Sequence, residues 1–500
     1  MKLSNRTTEY IILALLLVFS SALILANLGN IYLWQDEAQT ALVSRTILTH
    51  GVPLGYDGVN HFSQSFGAEY GKNYIWRWHP WLPFYVLAGF FALFGTSTFV
   101  ARLPFALFGI GTIVLTYYCG KSLWKIRRAA VLAAILLLTS VPFLLLVRQC
   151  RYYAPAAFFT VAGLYAYSEM LEGRKHASAA FVVSAVFLFH TLYIYFVTLV
   201  AAVVVHVLIC RRERLKPVLA ASAVALAVCL PWMIWFASVE HTVAKISLLL
   251  KIAVSAKCYP VQIARHIFHP ALLVLPIAAY LLSGSRRFRT AGLDRSVRSN
   301  VGLLILVAGM TLAGLMVTSQ YPFFRYLAPL IPVMCLLAGL ILEQGMRIHP
   351  AIGIAIILVL AWRGSMGDYL YEITHDYDGP IEGIVTYLNE HAKPGDLVAA
   401  NHEDLPIKWY TGLRTIGSTT GEDFKPALDA DWVVMRRPVD SLDMEFSKYL
   451  IENLDISKYE RIHLKSLDIV FENREDPEKH LFRTVVNPRP HVVIFHRTKE

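Results

Sequence analysis

Apolar runs of about 20 residues recur along this chain from position 9 to about position 367. Each is long enough to cross roughly 30 Å of hydrocarbon, and in lipid such a run must close its own backbone hydrogen bonds as a helix. The candidate spans are 10–30, 101–119, 129–147, 153–170, 177–190, 192–210, 217–236, 267–283, 300–319, 326–343 and 350–366. A further apolar stretch, Trp81 to Phe94, is decided by charge. With Lys2 and Arg6 cytoplasmic and 81–94 not crossing, the basic clusters at 121–128, 174–175, 211–216 and 286–298 all fall inside, as the positive-inside rule requires. If 81–94 crosses, every cluster flips outside. The chain therefore reads as eleven crossings plus an interfacial or buried helix at 80–95. The loop 237–266, outside in this scheme, carries Lys245, Lys251, Lys257 and Arg265 against the rule.

Composition agrees. Of 500 residues, 56% are hydrophobic and 16% charged, with a mean hydropathy of +0.49, against roughly 25% charged in a soluble domain. The net charge of +10 does not argue for a nucleic-acid partner, because the basic residues lie in short loops between apolar runs. Six cysteines show no metal-ligand spacing and read as small apolar residues. The first apolar run is longer than a signal-peptide core and reads as a retained span.

Acidic residues divide the chain. Of 36, 25 follow position 367 and 11 precede it. The tail 368–500 reads as a small α/β domain: Leu397–Ala400, Ala430–Met435 and His491–Phe495 have strand character, and Ile381–His391 has helical spacing. The remainder, 1–367, reads as one membrane domain whose first outer loop spans 31–79.

Among the scarce early acids, Asp36 and Glu37 stand together after the first span. Carboxylates near hydrocarbon are costly and commonly functional, although first-turn acids also suit the start of an interfacial helix. In this topology the outer face collects three polar joints near membrane depth. One is Asp36-Glu37 with Arg77, Trp78 and His79; the second is Arg148, Arg151, Tyr152 and Tyr153; the third runs from Gln320 to Arg325 and Tyr326. A carboxylate facing arginines and tyrosines suits sugar transfer from an anionic lipid phosphate to a hydroxyl. The carboxylate takes the acceptor proton, and guanidinium groups neutralise the departing phosphate by bidentate contacts. Trp34 and His79 could touch sugar or sit at the interface, and Arg148 and Arg325 could equally snorkel to head groups. His61 and Glu69 could join Asp36 at a divalent metal, but their spacing follows no metal pattern. No phosphate-cradling glycine loop is present, so an outward site implies a donor already across the membrane, a polyprenyl-phosphate sugar.

These residues carry a resemblance. The chain resembles the GT-C superfamily of membrane glycosyltransferases, in the branch of protein O-mannosyltransferases and aminoarabinose transferases acting on lipid A. Residues 34–38 (WQDEA) resemble the acidic motif of the first outer loop, residues 79–85 (HPWLPFY) the stretch closing it, and residues 99–109 (FVARLPFALFG) the signature opening the next span. Residues 148–154 (RQCRYYA) resemble the joint after the third span, and residues 325–332 (RYLAPLIP) a late arginine segment. The resemblance covers about 30–345. It implies inverting transfer of a monosaccharide from a polyprenyl-phosphate donor at the outer leaflet, with Asp36 catalytic and Arg325 on lipid phosphate. Some members carry a second acid after the third span; Tyr152 to Pro155 hold none, which favours a mechanism held by arginines over a bridging metal.

The resulting expectation is an all-α polytopic membrane protein with a small C-terminal extracytoplasmic α/β domain. Asp36 is the expected base with Glu37 in support; Arg148, Arg151 and Arg325 hold donor phosphate; Tyr152, His79, Trp34 and Tyr326 line the substrate. No cofactor is assigned beyond an optional divalent metal. The partners are the lipid-linked donor, a lipid, glycan or protein acceptor, and membrane lipids, and the place is the plasma (inner) membrane. The alternative reading is a transporter or flippase of lipid-linked glycans.

Overall fold

The computed structural model describes residues 5–237, 247–274, 294–348, 350–362, 366–437, 441–469 and 490–498. In chain order the helices are α1 (Asn5–Leu25), α2 (Gln35–His50), α3 (Leu82–Phe94), α4 (Thr98–Trp124), α5 (Arg127–Leu138), α6 (Val141–Val147), α7 (Tyr153–Leu171), α8 (Ala177–Thr191) and α9 (Tyr193–Cys210). They continue as α10 (Leu215–Ala237), α11 (Leu248–Gln262), α12 (Arg295–Thr318), α13 (Leu330–Ile348), α14 (Pro350–Trp362) and α15 (Met366–Glu372). The tail adds α16 (Pro380–His391), α17 (Asp404–Thr411) and α18 (Ser441–Asn453). Among the described residues six helices are long and apolar enough to cross a membrane, or seven if the bent pair α5–α6 is one span. Two expected spans fall on shorter helices, α8 with 15 residues and α14 with 13. Much of the expected span 267–283 lies outside the described residues. The stretch expected as a loop at 237–266 contains α11.

Local chemistry accounts for the breaks that matter to the site. Helices α5 and α6 meet at 64°, where Pro142 in the first turn of α6 fits only a helix start, since it has no N–H to extend α5. Helix α2 ends at Gly51, whose φ of 73° closes it in the left-handed conformation that glycine adopts without a Cβ penalty. Gly109 of α4 lets α6 approach: a Cβ there would lie 2.6 Å from Val147. That contact fixes the last turn of α6, from which the chain runs into Arg148 and Arg151.

The stretch 81–94 expected beside the membrane is α3, only 13 residues long. The tail holds one sheet of order β2-β1-β3-β5-β4, made of β1 (Leu397–Ala400), β2 (Arg414–Gly417), β3 (Trp432–Met435), β4 (Tyr459–Leu467) and β5 (His491–Arg497). β1 pairs in parallel with β2 and β3, and β5 runs antiparallel to β3 and β4. Alternation along the strands splits the core: Val398, Ala400 and Val434 pack with Ile384 and Leu388 of α16, while Ala399 and Val433 pack with Phe446 and Leu450 of α18. The strands anticipated near 397, 432 and 491 and the helix near 381 are found, whereas β2 and β4 had weak signatures. Tyr369, Ile373 and Leu405 join the large core of the helical bundle, so the tail is packed onto that bundle.

Candidate active site

Helix α2 follows α1 after a short break, residues 26–34, in which Trp34 is extended, and both acids fall in its first turn. There they meet the unpaired N–H groups and positive end of the dipole. Successive residues on a helix point about 100° apart, so Asp36 and Glu37 face different neighbours.

Asp36 faces the arginines. Its Oδ2 lies 3.3 Å from Arg151 Nη2 and 3.7 Å from Arg325 Nη2. The three come from α2, the α6–α7 joint and the turn before α13, which are the three joints picked out in the sequence. Burial by itself would raise the Asp36 pKa, but Arg151 and Arg325, helped by a Gln64 hydrogen bond and nearby His79, outweigh it and hold the carboxyl below its ordinary 3.8. Arg151 is itself pinned: Nη1 donates to Thr40 Oγ1 at 3.0 Å and to Gln39 Oε1 at 3.5 Å. Its buried Nε has no hydrogen-bond partner among the described residues, leaving one donor available. The Arg325 guanidinium lies over Trp34 at 5.4 Å and over Phe323 at 4.2 Å. Tyr152 stacks near Arg151 at 5.5 Å and near His79 at 5.4 Å, and the Tyr326 carbonyl accepts the Tyr195 hydroxyl at 2.8 Å. Asp36, Arg151, Arg325, Trp34, His79, Tyr152 and Tyr326 thus form one neighbourhood.

Glu37 and Arg148 lie elsewhere. Arg102 of α4 meets Glu37 in a bidentate pair, Nε to Oε1 at 2.8 Å and Nη2 to Oε2 at 2.6 Å. The Cys150 N–H adds a bond of 2.6 Å to Glu37 Oε1. Arg102 also donates to the carbonyls of Leu28, Ile31 and Tyr32. Glu37 is completely buried and, with Arg102, ties together the end of α1, the link into α2 and the α6–α7 joint. Arg148 donates to the carbonyls of Ile24 at 2.7 Å and Ala26 at 2.8 Å, where a cation suits the exposed carbonyls and negative end of α1. Neither side chain is in contact with Asp36. In the sequence Arg102 stands within the 99–109 motif, and its signal is an arginine in an otherwise apolar run, for which a buried acid is the natural partner.

The loop 31–79 is held from behind by the tail. Gln35, the residue before Asp36, donates to Asp404 Oδ1 at 2.8 Å and accepts from the Leu405 N–H at 3.2 Å. Asp404 is fixed by Lys408 at 2.6 Å, which also donates to the His61 carbonyl at 2.8 Å. Tyr410 stacks on Tyr32 at 4.1 Å and accepts the Leu33 N–H at 2.8 Å. No sequence signal marks these residues, since the contact joins positions some 370 apart.

His61 and Glu69 do not converge on Asp36. His61 Nδ1 pairs with the Tyr70 hydroxyl at 3.0 Å, and Glu69 takes the Ser63 hydroxyl and the Gln64 N–H. Burial lowers the His61 pKa and raises that of Glu69. Among the described residues no group of three His, Cys, Asp or Glu side chains could hold a metal ion. Arginines surround Asp36 and the neighbouring acid is bound to Arg102, so these residues do not fit a carboxylate-bridged metal, and no step below is routed through one.

The sequence profile for dolichyl-phosphate-mannose-protein mannosyltransferase matches residues 78–235. The fold is similar to that of ArnT from Cupriavidus metallidurans bound to undecaprenyl phosphate, with a TM-score of 0.52, 15% identity and 98% of each chain covered. The chain has a GT-C fold. The oligosaccharyltransferase of Archaeoglobus fulgidus tethered with an acceptor peptide gives a TM-score of 0.51 at 12% identity, over 92% of this chain and 69% of that one. The arabinofuranosyltransferase AftD from Mycobacteria gives 0.54 at 15% identity, over 100% of this chain and 40% of that one. At these identities the structures establish a shared GT-C fold. No curated protein matches the sequence. The motifs at 79–85, 99–109 and 148–154 fall within the matched profile.

Proposed function

We propose that this GT-C protein transfers one monosaccharide from a polyprenyl-phosphate carrier to an acceptor hydroxyl at the outer face of the plasma (inner) membrane, by inverting single displacement. The observation that carries the reading is Asp36, a buried carboxylate shared by Arg151 and Arg325 at the meeting of three helix joints. The acceptor oxygen attacks the anomeric carbon, its proton passes to Asp36, and the carbon–oxygen bond to phosphate breaks with its electron pair leaving on the polyprenyl phosphate. Arg151 and Arg325 take up that charge. Both guanidiniums hold Asp36 below its ordinary pKa before substrate enters, which makes it a weak base. A donor phosphate competes for the same guanidiniums, and each contact it takes relaxes their hold and raises the basicity of Asp36. Donor binding therefore prepares the base.

His79, Trp34, Tyr152 and Tyr326 line the sugar and acceptor in this reading. Glu37 and Arg102 position α2, and Arg148 secures the end of α1. Residues 1–367 form the catalytic membrane domain, and 368–500 an extracytoplasmic domain that braces the first outer loop. The basic clusters inside and the polar joints outside support this sidedness. The acceptor is a cell-envelope hydroxyl, on lipid A, a glycan or a protein.

The test compares intact lipids and surface glycans by mass spectrometry in cells with and without the gene. Loss of the gene should make one prenyl-phosphate sugar accumulate while the same sugar disappears from a surface molecule. A carrier that lacks its sugar, or an unchanged surface, contradicts the proposal and points to transport.

A further inference from the structure

We propose that the far end of the bundle holds a second lipid site, a cavity that takes the phosphate head group of an anionic membrane lipid. Helix α9 starts at the candidate active site, where Tyr195 bonds the Tyr326 carbonyl, and runs 18 residues to Cys210, about 27 Å away. Beside that end, the first turns of α12 close a cavity of about 760 Å³ whose lining includes Arg211, Arg295, Arg298, Ser296 and Ser299. Its acidic lining residue is Glu213, which lies 3.7 Å from Arg211.

Three observations favour a phosphate-bearing lipid here. First, Arg295 and Arg298 stand three residues apart in the first turn of α12, so they share a face. Two cations at the positive end of a helix dipole oppose it unless an anion sits between them, and among the described residues neither arginine forms an ion pair. Second, the hydroxyl wall is held in place. Ser296 accepts from Arg211 Nη2 at 2.8 Å, and Ser299 meets His206 Nε2 at 2.9 Å, which is fixed by the Tyr167 hydroxyl at 2.8 Å. Orientation bias alone calls for basic residues at such an end, not for a concave site with fixed hydroxyls. Third, the lining includes Ile209, which is 68% exposed next to Leu208 at 42%. That apolar rim suits acyl chains and distinguishes a lipid from free phosphate.

The test uses the full chain purified in detergent, with bound dioctanoyl phosphatidylglycerol or dioctanoyl phosphatidylcholine counted by native mass spectrometry. The Arg325→Gln variant serves as control for lipid held at the active site, and inorganic phosphate as competitor. Wild type and Arg325→Gln should retain phosphatidylglycerol over phosphatidylcholine. The Arg295→Gln/Arg298→Gln variant, changed at exposed side chains, should bind it about tenfold or more weakly, as expected for lost charge-assisted contacts. Equal retention by that variant, loss confined to Arg325→Gln, or equal retention of the two lipids overturns the proposal. So does full displacement by inorganic phosphate at equal concentration, which would identify a free-anion site.

Discussion

Asp36 and Glu37 are adjacent, buried and identical in charge, yet their surroundings differ in kind. Glu37 sits in a closed network: Arg102 grips both oxygens, the Cys150 N–H adds a third bond, and the same arginine ties three carbonyls. Asp36 sits in an open one: its arginine contacts are 3.3 and 3.7 Å long, and Arg151 keeps a buried donor without a partner. Short, saturated contacts build a scaffold. Long, shared contacts leave charge for a substrate to claim. One helical step separates structure from proposed chemistry.

The largest break in that comparison should come from Arg102→Ala. It strands a fully buried carboxylate, and removing one partner of a buried pair costs about 3–5 kcal/mol. Thermal unfolding of the purified variant should show a strongly lowered midpoint or too little folded protein to measure; an unchanged midpoint would mean that Glu37 is not held as described. Next, Arg325→Gln should fold normally but lose roughly 10²-fold in transfer rate, since it removes one stabiliser of the leaving phosphate. The same variant sharpens the electrostatics. Arg325 lowers the Asp36 pKa, so wild-type Asp36 stays ionised as pH falls towards 3.8 and is lost only below it. Without Arg325 the acid limb of the pH–rate profile should move upward, while a profile that stays in place would detach Arg325 from Asp36. The smallest effect belongs to the brace. Asp404→Asn weakens the hold on Gln35 and should lower kcat by about tenfold or less, because small misplacements of a catalytic group slow the reaction, with the donor KM little changed. A rise in KM alone would assign Asp404 to binding.

Much of this was legible in the chain. Recurrent apolar runs dictate helices, and the motifs around Asp36, His79, Arg151 and Arg325 carry the resemblance to GT-C enzymes and mark residues that stand together. Sequence spacing could not separate Arg148 from Arg151, because both follow α6. Only the position of the α1 terminus reveals that one arginine caps carbonyls while the other faces a carboxylate. The Glu37–Arg102 pair and the Gln35–Asp404 contact were equally invisible, being made between segments far apart in the chain. β2 and β4 are not legible in the sequence, because a four-residue strand and a mixed polar strand carry too little periodicity.

The central claim is that Asp36 does chemistry while its neighbour holds the fold. The direct test is Asp36→Asn in the purified full chain, assayed for single-turnover sugar transfer from the polyprenyl-phosphate donor identified in cells. The account predicts a loss of about 10²–10⁴-fold, the usual contribution of a general base, with an unfolding midpoint close to wild type. Transfer at the wild-type rate by a folded Asp36→Asn protein would contradict it.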